Sequence, residues 1–142
     1  DFTFVCPSEI LAHHHRVSID SRHTHNAWRN TAVNDGGIGA IDFPLVSDMD
    51  HAIMDAYGIV HPEGTALRAS FLIDENFVVR HQVVNDHPLG RNVDEMLRMV
   101  DALDFHTEHG EVCPAGWNKG DDGMKESAES VAEYLSKNAE NL

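Results

Sequence analysis

Apolar and polar positions along the chain follow a pattern of short strands and helices. Apolar residues at 93, 96, 97, 100 and 103 share one face of the clearest helix, and Asp74-Glu75-Asn76 is typical of a hairpin turn. Strands are predicted at 2–5, 17–21, 43–48, 67–73 and 77–84, and helices at 8–12, 23–30, 50–57, 92–103 and 126–135. Strands that alternate with helices, with one strand pair among them, indicate an α/β domain with a mixed sheet.

The first predicted strand ends at Cys6, where the chain turns into a helix. Pro7 cannot donate to a sheet, but it fits the first turn of a helix. The unpaired N–H groups and the dipole at a helix start stabilise a thiolate, and they lower cysteine pKa values from about 8.5 to roughly 3.5–7.5. Cys6 is therefore a candidate nucleophile, and a buried, inert cysteine is the alternative.

Composition and charge limit the possible classes of function. The 142 residues give a net charge of −14, which is unsuited to nucleic acid or an anionic membrane surface. No apolar run reaches membrane-spanning length, and we expect no leader before the first strand. Two cysteines 107 positions apart do not make a secreted disulfide scaffold. In a cytoplasmic protein, such a pair is typical of transient redox chemistry.

Histidines and glycines raise the question of a metal or cofactor. The run His13-His14-His15 lies at a junction where the chain looks interrupted, and no cysteine or carboxylate stands at a spacing that completes a site with His23 and His25. The glycine loop at 36–39 lacks the Gly-Lys-Ser/Thr of a phosphate loop. We therefore expect neither a metal nor a cofactor.

Four blocks of sequence resemble motifs of one enzyme family. Phe4-Val5-Cys6-Pro7-Ser8-Glu9, with Thr3 three positions before the cysteine, resembles the peroxidatic motif of the typical two-cysteine peroxiredoxins. Residues 109–117 resemble their resolving-cysteine motif and read His-Gly-Glu-Val-Cys-Pro-Ala-Gly-Trp. Between the two cysteine motifs, residues 66–68 and 84–91 also match family motifs, in the same order along the chain. The resemblance covers nearly the whole chain and is strongest to the bacterial members, the peroxidase subunit of alkyl hydroperoxide reductase.

The resemblance implies a thioredoxin-like fold with a C-terminal tail and a thiol-dependent peroxidase. Cys6 is then the peroxidatic cysteine, which attacks hydrogen peroxide or an organic hydroperoxide and becomes a sulfenic acid. Cys113 is the resolving cysteine, which condenses with Cys6 to a disulfide. We expect Arg68 and Thr3 to hydrogen-bond the thiolate and the peroxide oxygens.

Four further residues are expected to support this site. Pro7 shapes the turn after the peroxidatic cysteine. Glu9 lies one helical turn beyond that cysteine, and its charge requires neutralisation, for which the resemblance implies Arg68 and Arg91. Trp28 resembles the tryptophan that packs near the active site in the family, and it is also a core residue by its position on a helix.

The same resemblance implies partners and an assembly. The disulfide is reduced by thioredoxin or by a flavoprotein disulfide reductase. The strand 78–84 is placed at a sheet edge that pairs with a second copy, and dimers assemble into a ring, expected to be a decamer. We predict that Cys113 serves the Cys6 of the partner, because the polar tail after Cys113 looks too loosely packed to fold back.

Two other classes of function remain as alternatives. A thioredoxin-like holdase or binding module without peroxidase turnover fits the same fold. A disulfide oxidoreductase is disfavoured because the chain has no Cys-x-x-Cys motif.

One domain is predicted to span residues 1–142, with the resolving cysteine and the tail in residues 104–142. We expect a further segment before Asp1 and another between residues 12 and 17, because the family carries most of a helix and the start of a strand there.

Overall fold

A computed structural model of the chain describes residues 16–139. Its strands are β1 Arg16–Ser18, β2 Leu45–Ser47, β3 Arg68–Ile73 and β4 Val79–Asn85, and its helices are α1 Arg22–Asn30, α2 Ala52–Ala56, α3 Val93–His109 and α4 Ala128–Asn138. Every helix and strand predicted after residue 16 has a counterpart. No helix within residues 16–139 combines the length and the apolar character that a membrane span needs.

The described residues form two compact units. Residues 16–71 and 82–93 belong to the first, and residues 72–81 and 94–139 to the second. Among the strands of residues 16–139, β1 pairs with β2 and β3 pairs with β4. The strand predicted at 2–5 lies outside the described residues.

A β-α-β arrangement opens the first unit. β1 and β2 run parallel, with Arg16 opposite Leu45 and Ser18 opposite Ser47. Parallel neighbours need a crossover connection, and α1 provides it. The helix begins at its N-cap Ser21, whose hydroxyl accepts a hydrogen bond from the Thr24 backbone N–H at 3.2 Å.

The core of the first unit is built on α1. Trp28 and Ile38 are fully buried and pack against Ile41, Phe43 and Leu45. The glycine loop closes over this tryptophan, because the Trp28 indole donates to the Gly36 carbonyl at 3.1 Å. Gly36 adopts φ +82°, and a Cβ on Gly37 would collide with the Thr31 backbone, so both positions require glycine.

The β3–β4 hairpin turns at Asp74, as the sequence predicted. Asp74 Oδ1 accepts from the backbone N–H groups of Asn76 at 2.9 Å and Val78 at 3.0 Å. Phe77 belongs to the turn, with φ 61° and a 91% exposed side chain. β4 therefore starts two residues later than the predicted strand.

Helix α3 in the second unit is longer than predicted. It continues to His109 and ends where Gly110 adopts φ +66° and donates to the His106 carbonyl at 2.8 Å. The predicted apolar face is partly wrong, because Leu97 is 53% exposed and Val100 is 37% exposed, whereas Ala102 is buried. The buried stripe of α3 is therefore rotated from the predicted one toward Ala102.

Candidate active site

Thr3, Cys6, Pro7 and Glu9 lie outside the described residues, as does the histidine run at 13–15. The remaining site residues of the sequence analysis can be placed. Arg68, Arg91 and Trp28 belong to the first unit, and Cys113 belongs to the second.

Arg68 is the first residue of β3 and is partly buried. Its Nε atom donates to the backbone carbonyl of His87 at 2.5 Å. The strand start is fixed by the preceding residue, since Leu67 N–H donates to the Ile59 carbonyl at 2.8 Å. The guanidinium is therefore held by the backbone of a second segment, which limits the directions it can take.

Arg91 is directed at the same strand. Its Nη1 atom donates to the Ala69 carbonyl and, at 3.0 Å, to the Ser70 hydroxyl. The turn before it is closed by Leu89 N–H, which donates to the Asp86 carbonyl at 3.0 Å. Arg68 thus bonds residue 87, and Arg91 bonds residues 69 and 70, so each arginine is held by the segment that carries the other. Two such permanent cations lower the pKa of any thiol or carboxyl group beside them.

Trp28 is fully buried, so its predicted role as a core residue is confirmed. The guanidinium carbon of Arg16 lies 5.7 Å from the centre of its ring, within the range of a cation–π interaction. His23 and His25, considered above as metal ligands, lie in different environments. His23 is exposed, and His25 is buried with its Nε2 atom 2.8 Å from the Ser18 hydroxyl.

Cys113 is a free, partly buried cysteine in the second unit. Its thiol donates to the carbonyl of Ala102, a buried residue of α3, with a sulfur–oxygen distance of 3.5 Å. Burial raises the pKa of Cys113, and the positive charge of Arg98 opposes this effect without cancelling it. The thiol is therefore held in its protonated form, against the backbone of a helix.

Arg98 is a residue near Cys113 that the sequence analysis did not single out. It forms a two-pronged ion pair with Glu95, at 2.7 and 2.8 Å, and donates to the Trp117 carbonyl at 2.7 Å. The hydrogen bonds to Glu95 raise the pKa of Arg98. The spacing of three residues on a helix is a sequence signal for the Glu95 pair, but nothing in the sequence predicts the contact with Trp117.

The segment after Cys113 is packed, so the expectation of a loose tail is wrong for residues 112–124. Trp117 is 2% exposed and lies 5.0 Å from the Phe105 ring. Val112 and Met124 form an antiparallel bridge, and Trp117 Nε1 donates to the Asp121 carbonyl at 3.0 Å. The polar residues of this segment are at its surface, and one aromatic ring anchors it.

A second group of side chains was also missed. His61, Glu63 and His87 each offer a ligand atom, and these atoms lie within 4.8 Å of one another. The sequence gives no signal for this group, because His87 is 26 positions from His61 along the chain and the two meet only through the fold.

Comparison with known proteins assigns the chain to a family. The AhpC/TSA family matches residues 1–82, and the family described as the C-terminal domain of 1-Cys peroxiredoxin matches residues 102–137. The first match includes the segment around Cys6, and the second includes Cys113 and α4.

Curated relatives agree with this assignment. The chain is 57% identical to alkyl hydroperoxide reductase C of Buchnera aphidicola subsp. Acyrthosiphon pisum, over 96% of the chain and 77% of that protein. It is 55% identical to alkyl hydroperoxide reductase C of Helicobacter pylori, over 98% of the chain and 77% of that protein. The first alignment extends over 151 positions, more than the 142 residues of the chain, so the relative carries residues inside the matched region that this chain lacks.

Solved structures confirm the fold. The reduced 2-Cys peroxiredoxin of Plasmodium vivax superposes with a TM-score of 0.93 at 45% identity, covering 96% of this chain and 77% of that one. AhpC of Mycobacterium tuberculosis superposes with a TM-score of 0.65 at 37% identity, covering 73% of this chain and 68% of that one. The chain has the thioredoxin-like fold of the peroxiredoxins and belongs to the AhpC/TSA family. It is a thiol-dependent peroxidase of the alkyl hydroperoxide reductase C and peroxiredoxin type.

Proposed function

We propose that Cys6 is the peroxidatic cysteine of this peroxidase and Cys113 the resolving one. The observation that supports this order is the state of Cys113. Its partly buried thiol donates a hydrogen bond to the Ala102 carbonyl, and burial raises its pKa. Only a thiolate attacks a peroxide, so such a thiol is a poor first nucleophile at neutral pH. Cys6, at the predicted mouth of a helix, is the better candidate.

The first step consumes the peroxide. The Cys6 thiolate attacks one oxygen of hydrogen peroxide or an organic hydroperoxide, a sulfur–oxygen bond forms and the oxygen–oxygen bond breaks. The leaving oxygen takes up a proton and departs as water or an alcohol, and Cys6 becomes a sulfenic acid. Arg68 and Thr3 donate hydrogen bonds that strengthen as charge develops on the leaving oxygen.

Four residues support this step. Pro7 shapes the helix start, and Glu9 places a carboxylate one turn away. The charge of Arg91 offsets that carboxylate, and its attachment to the start of β3 keeps it near Arg68. Trp28 supplies the buried wall on which the glycine loop rests.

The second step restores the thiol. Cys113 attacks the sulfenic acid, a disulfide forms and water leaves; a dithiol then reduces the disulfide by exchange. We place thioredoxin or a flavoprotein disulfide reductase in that role. We also propose a homodimer with intersubunit disulfides that assembles into a ring of ten chains. The cytoplasm is the proposed location, because this cycle requires a reducing compartment.

The test measures the first turnover and the recycling separately in variants that lack one of the two thiols. In Cys113→Ser, a single equivalent of peroxide should be consumed at the wild-type rate, and only recycling by the reductant should be lost. In Cys6→Ser, the first turnover should be abolished. Rapid-quench peroxide measurements compare the two, and an equal loss of the first turnover in both variants would contradict the assignment.

A further inference from the structure

A turn at residues 61–65 and the side chain of His87 together form a group that the peroxidase reaction does not use. His61, Glu63 and His87 place two imidazoles and a carboxylate with their ligand atoms within 4.8 Å of one another. Two histidines and one carboxylate are a common ligand set for Zn²⁺, with a fourth position left to water. We propose that these three residues bind a divalent transition-metal ion of the Zn²⁺ type.

The turn that carries two of the ligands is already formed. His61 N–H donates to the Thr65 carbonyl at 2.8 Å, and Gly64 N–H donates to the His61 carbonyl at 2.8 Å. Val60 and Ala66 pair in an antiparallel bridge just outside the turn. Gly64 adopts φ +78°, which glycine allows without strain. Because the backbone is ordered in advance, binding a metal here costs little conformational entropy.

The Nε2 atom of His87 faces polar groups of the turn. It lies 3.2 Å from the Ala66 carbonyl and 3.2 Å from the Thr65 hydroxyl. A carbonyl oxygen only accepts, so the contact with Ala66 is a hydrogen bond in the tautomer that has its proton on Nε2 and its lone pair on Nδ1. Metal-binding histidines typically donate their second nitrogen to a backbone carbonyl in this way.

The backbone of His87 is fixed as well. Its carbonyl accepts from Arg68 Nε at 2.5 Å, and its N–H donates to Asp86 Oδ1 at 2.7 Å. The rings of His61 and His87 lie 4.3 Å apart between centres, with 38° between their planes. Both imidazoles are therefore positioned by contacts that do not involve a metal.

Glu63 is the exposed ligand of the group and can adjust on binding. Its Oε2 atom is 4.0 Å from His61 Nδ1, and its side chain is 78% exposed. Two ligand atoms of a tetrahedral Zn²⁺ lie about 3.4 Å apart for bond lengths near 2.1 Å. Rotation of an exposed glutamate closes that difference. His61 Nδ1 now accepts from the Glu63 N–H at 3.2 Å, so it is unprotonated, and the metal would replace this hydrogen bond.

The test is a Co²⁺ titration of the reduced full-length chain, followed by absorption spectroscopy and calorimetry, with Zn²⁺ as competitor. Co²⁺ bound by nitrogen and oxygen shows ligand-field bands without the sulfur charge-transfer band of a cysteine site. We expect one equivalent with such a spectrum. Absence of binding, or a spectrum dominated by the sulfur band, would overturn the proposal.

Variants locate the ion. His87→Gln and His61→Gln should each weaken Co²⁺ binding at least about tenfold, since even residues behind the ligands are worth that much. Glu63→Gln should also weaken it, and its exposed position leaves folding unaffected. His23→Gln and Glu75→Gln alter exposed residues elsewhere and should bind like wild type. Unchanged affinity in Glu63→Gln and in either folded histidine variant would show that the ion binds elsewhere.

Discussion

Arg68 and Cys113 are each held by a backbone carbonyl of another segment, with different chemical consequences. For Arg68 the acceptor is the His87 carbonyl, which orients a permanently charged group without altering its charge. For Cys113 the acceptor is the Ala102 carbonyl, and the accompanying burial keeps the thiol protonated. In the proposed reaction, the first contact orients Arg68 for the peroxide step, and the second keeps Cys113 protonated until it attacks the sulfenic acid.

Arg68→Lys tests whether the planar guanidinium matters beyond its charge. Lysine keeps the charge, but it cannot bond the His87 carbonyl through Nε and direct a second donor at a peroxide oxygen at the same time. We expect the rate of peroxide reduction to fall at least about tenfold, because one lost donor of this kind costs about 10²–10³ in rate. The pKa of the reacting thiol should rise only modestly.

Arg80→Lys is the matched control for that experiment. Arg80 is an exposed residue of β4 that pairs with Asp74 at 2.7 Å, so the same substitution there removes a planar group from a surface ion pair. It should leave the rate unchanged. A wild-type rate in Arg68→Lys would show that the planar donor is not needed.

At the scale of elements, we expect the segment after Cys113 and helix α4 to control when Cys113, the proposed resolving cysteine, is released. Residues 112–124 are anchored by Trp117, and α4 begins at Ser127, whose hydroxyl caps Ser130 N–H at 3.2 Å. Within α4, Tyr134 is partly buried and Leu135 is 44% exposed. A disulfide needs Cα atoms within about 7 Å, and we expect these elements to open locally when Cys113 reaches the sulfenic acid of Cys6.

Overoxidation of Cys6 is predicted to be intermediate. Gly36-Gly37-Ile38-Gly39 resembles the glycine loop of overoxidation-sensitive peroxiredoxins. Those proteins also carry a Tyr-Phe pair in the last helix, where this chain has Tyr134-Leu135 in α4. A leucine fills less space than a phenylalanine, so the helix should open more readily and Cys113 should arrive sooner. Mass spectrometry of sulfinic acid across a peroxide titration with recycling measures this competition.

Leu135→Phe restores the Tyr-Phe pair and tests whether residue 135 affects overoxidation. It should increase the sulfinic acid formed at a given peroxide concentration. If the unmodified chain already overoxidises as readily as relatives with both motifs, or if Leu135→Phe changes nothing, α4 does not control the competition.

At the scale of the molecule, β4 is the strand through which we expect a second copy of the chain to pair. Within residues 16–139, β4 has one strand neighbour, β3, which is compatible with the predicted use of β4 as a pairing edge. Its residues Val79 and Val84 are 44% and 45% exposed. We propose that two such strands pair across a two-fold axis and that each Cys113 serves the Cys6 of the other chain.

Peroxide treatment should therefore convert the protein to a covalent dimer on a non-reducing gel, with two Cys6–Cys113 bridges. Mixing Cys6→Ser chains with Cys113→Ser chains should still give dimers, each with one bridge, because each variant supplies the thiol that the other lacks. A monomeric band with an intrachain bridge in the wild-type chain would show that Cys113 resolves the Cys6 of its own chain.

The sequence by itself determined the features that depend on near neighbours. The hairpin turn at Asp74, the helix predicted at 23–30 and the buried Trp28 follow from local chemistry and from periodicity. The family, the fold and the peroxidase activity also followed from motifs, because those motifs are contiguous stretches of chain.

Tertiary structure alone decided the contacts between distant segments. It decided that Ala102 of α3 is buried and Leu97 is exposed, although both residues are apolar. It packed Trp117 beside Phe105, and it brought His87 to His61. The physical reason is that burial and ligand geometry depend on which segments pack together. The order of residues along the chain does not specify the distances between segments that are far apart in sequence.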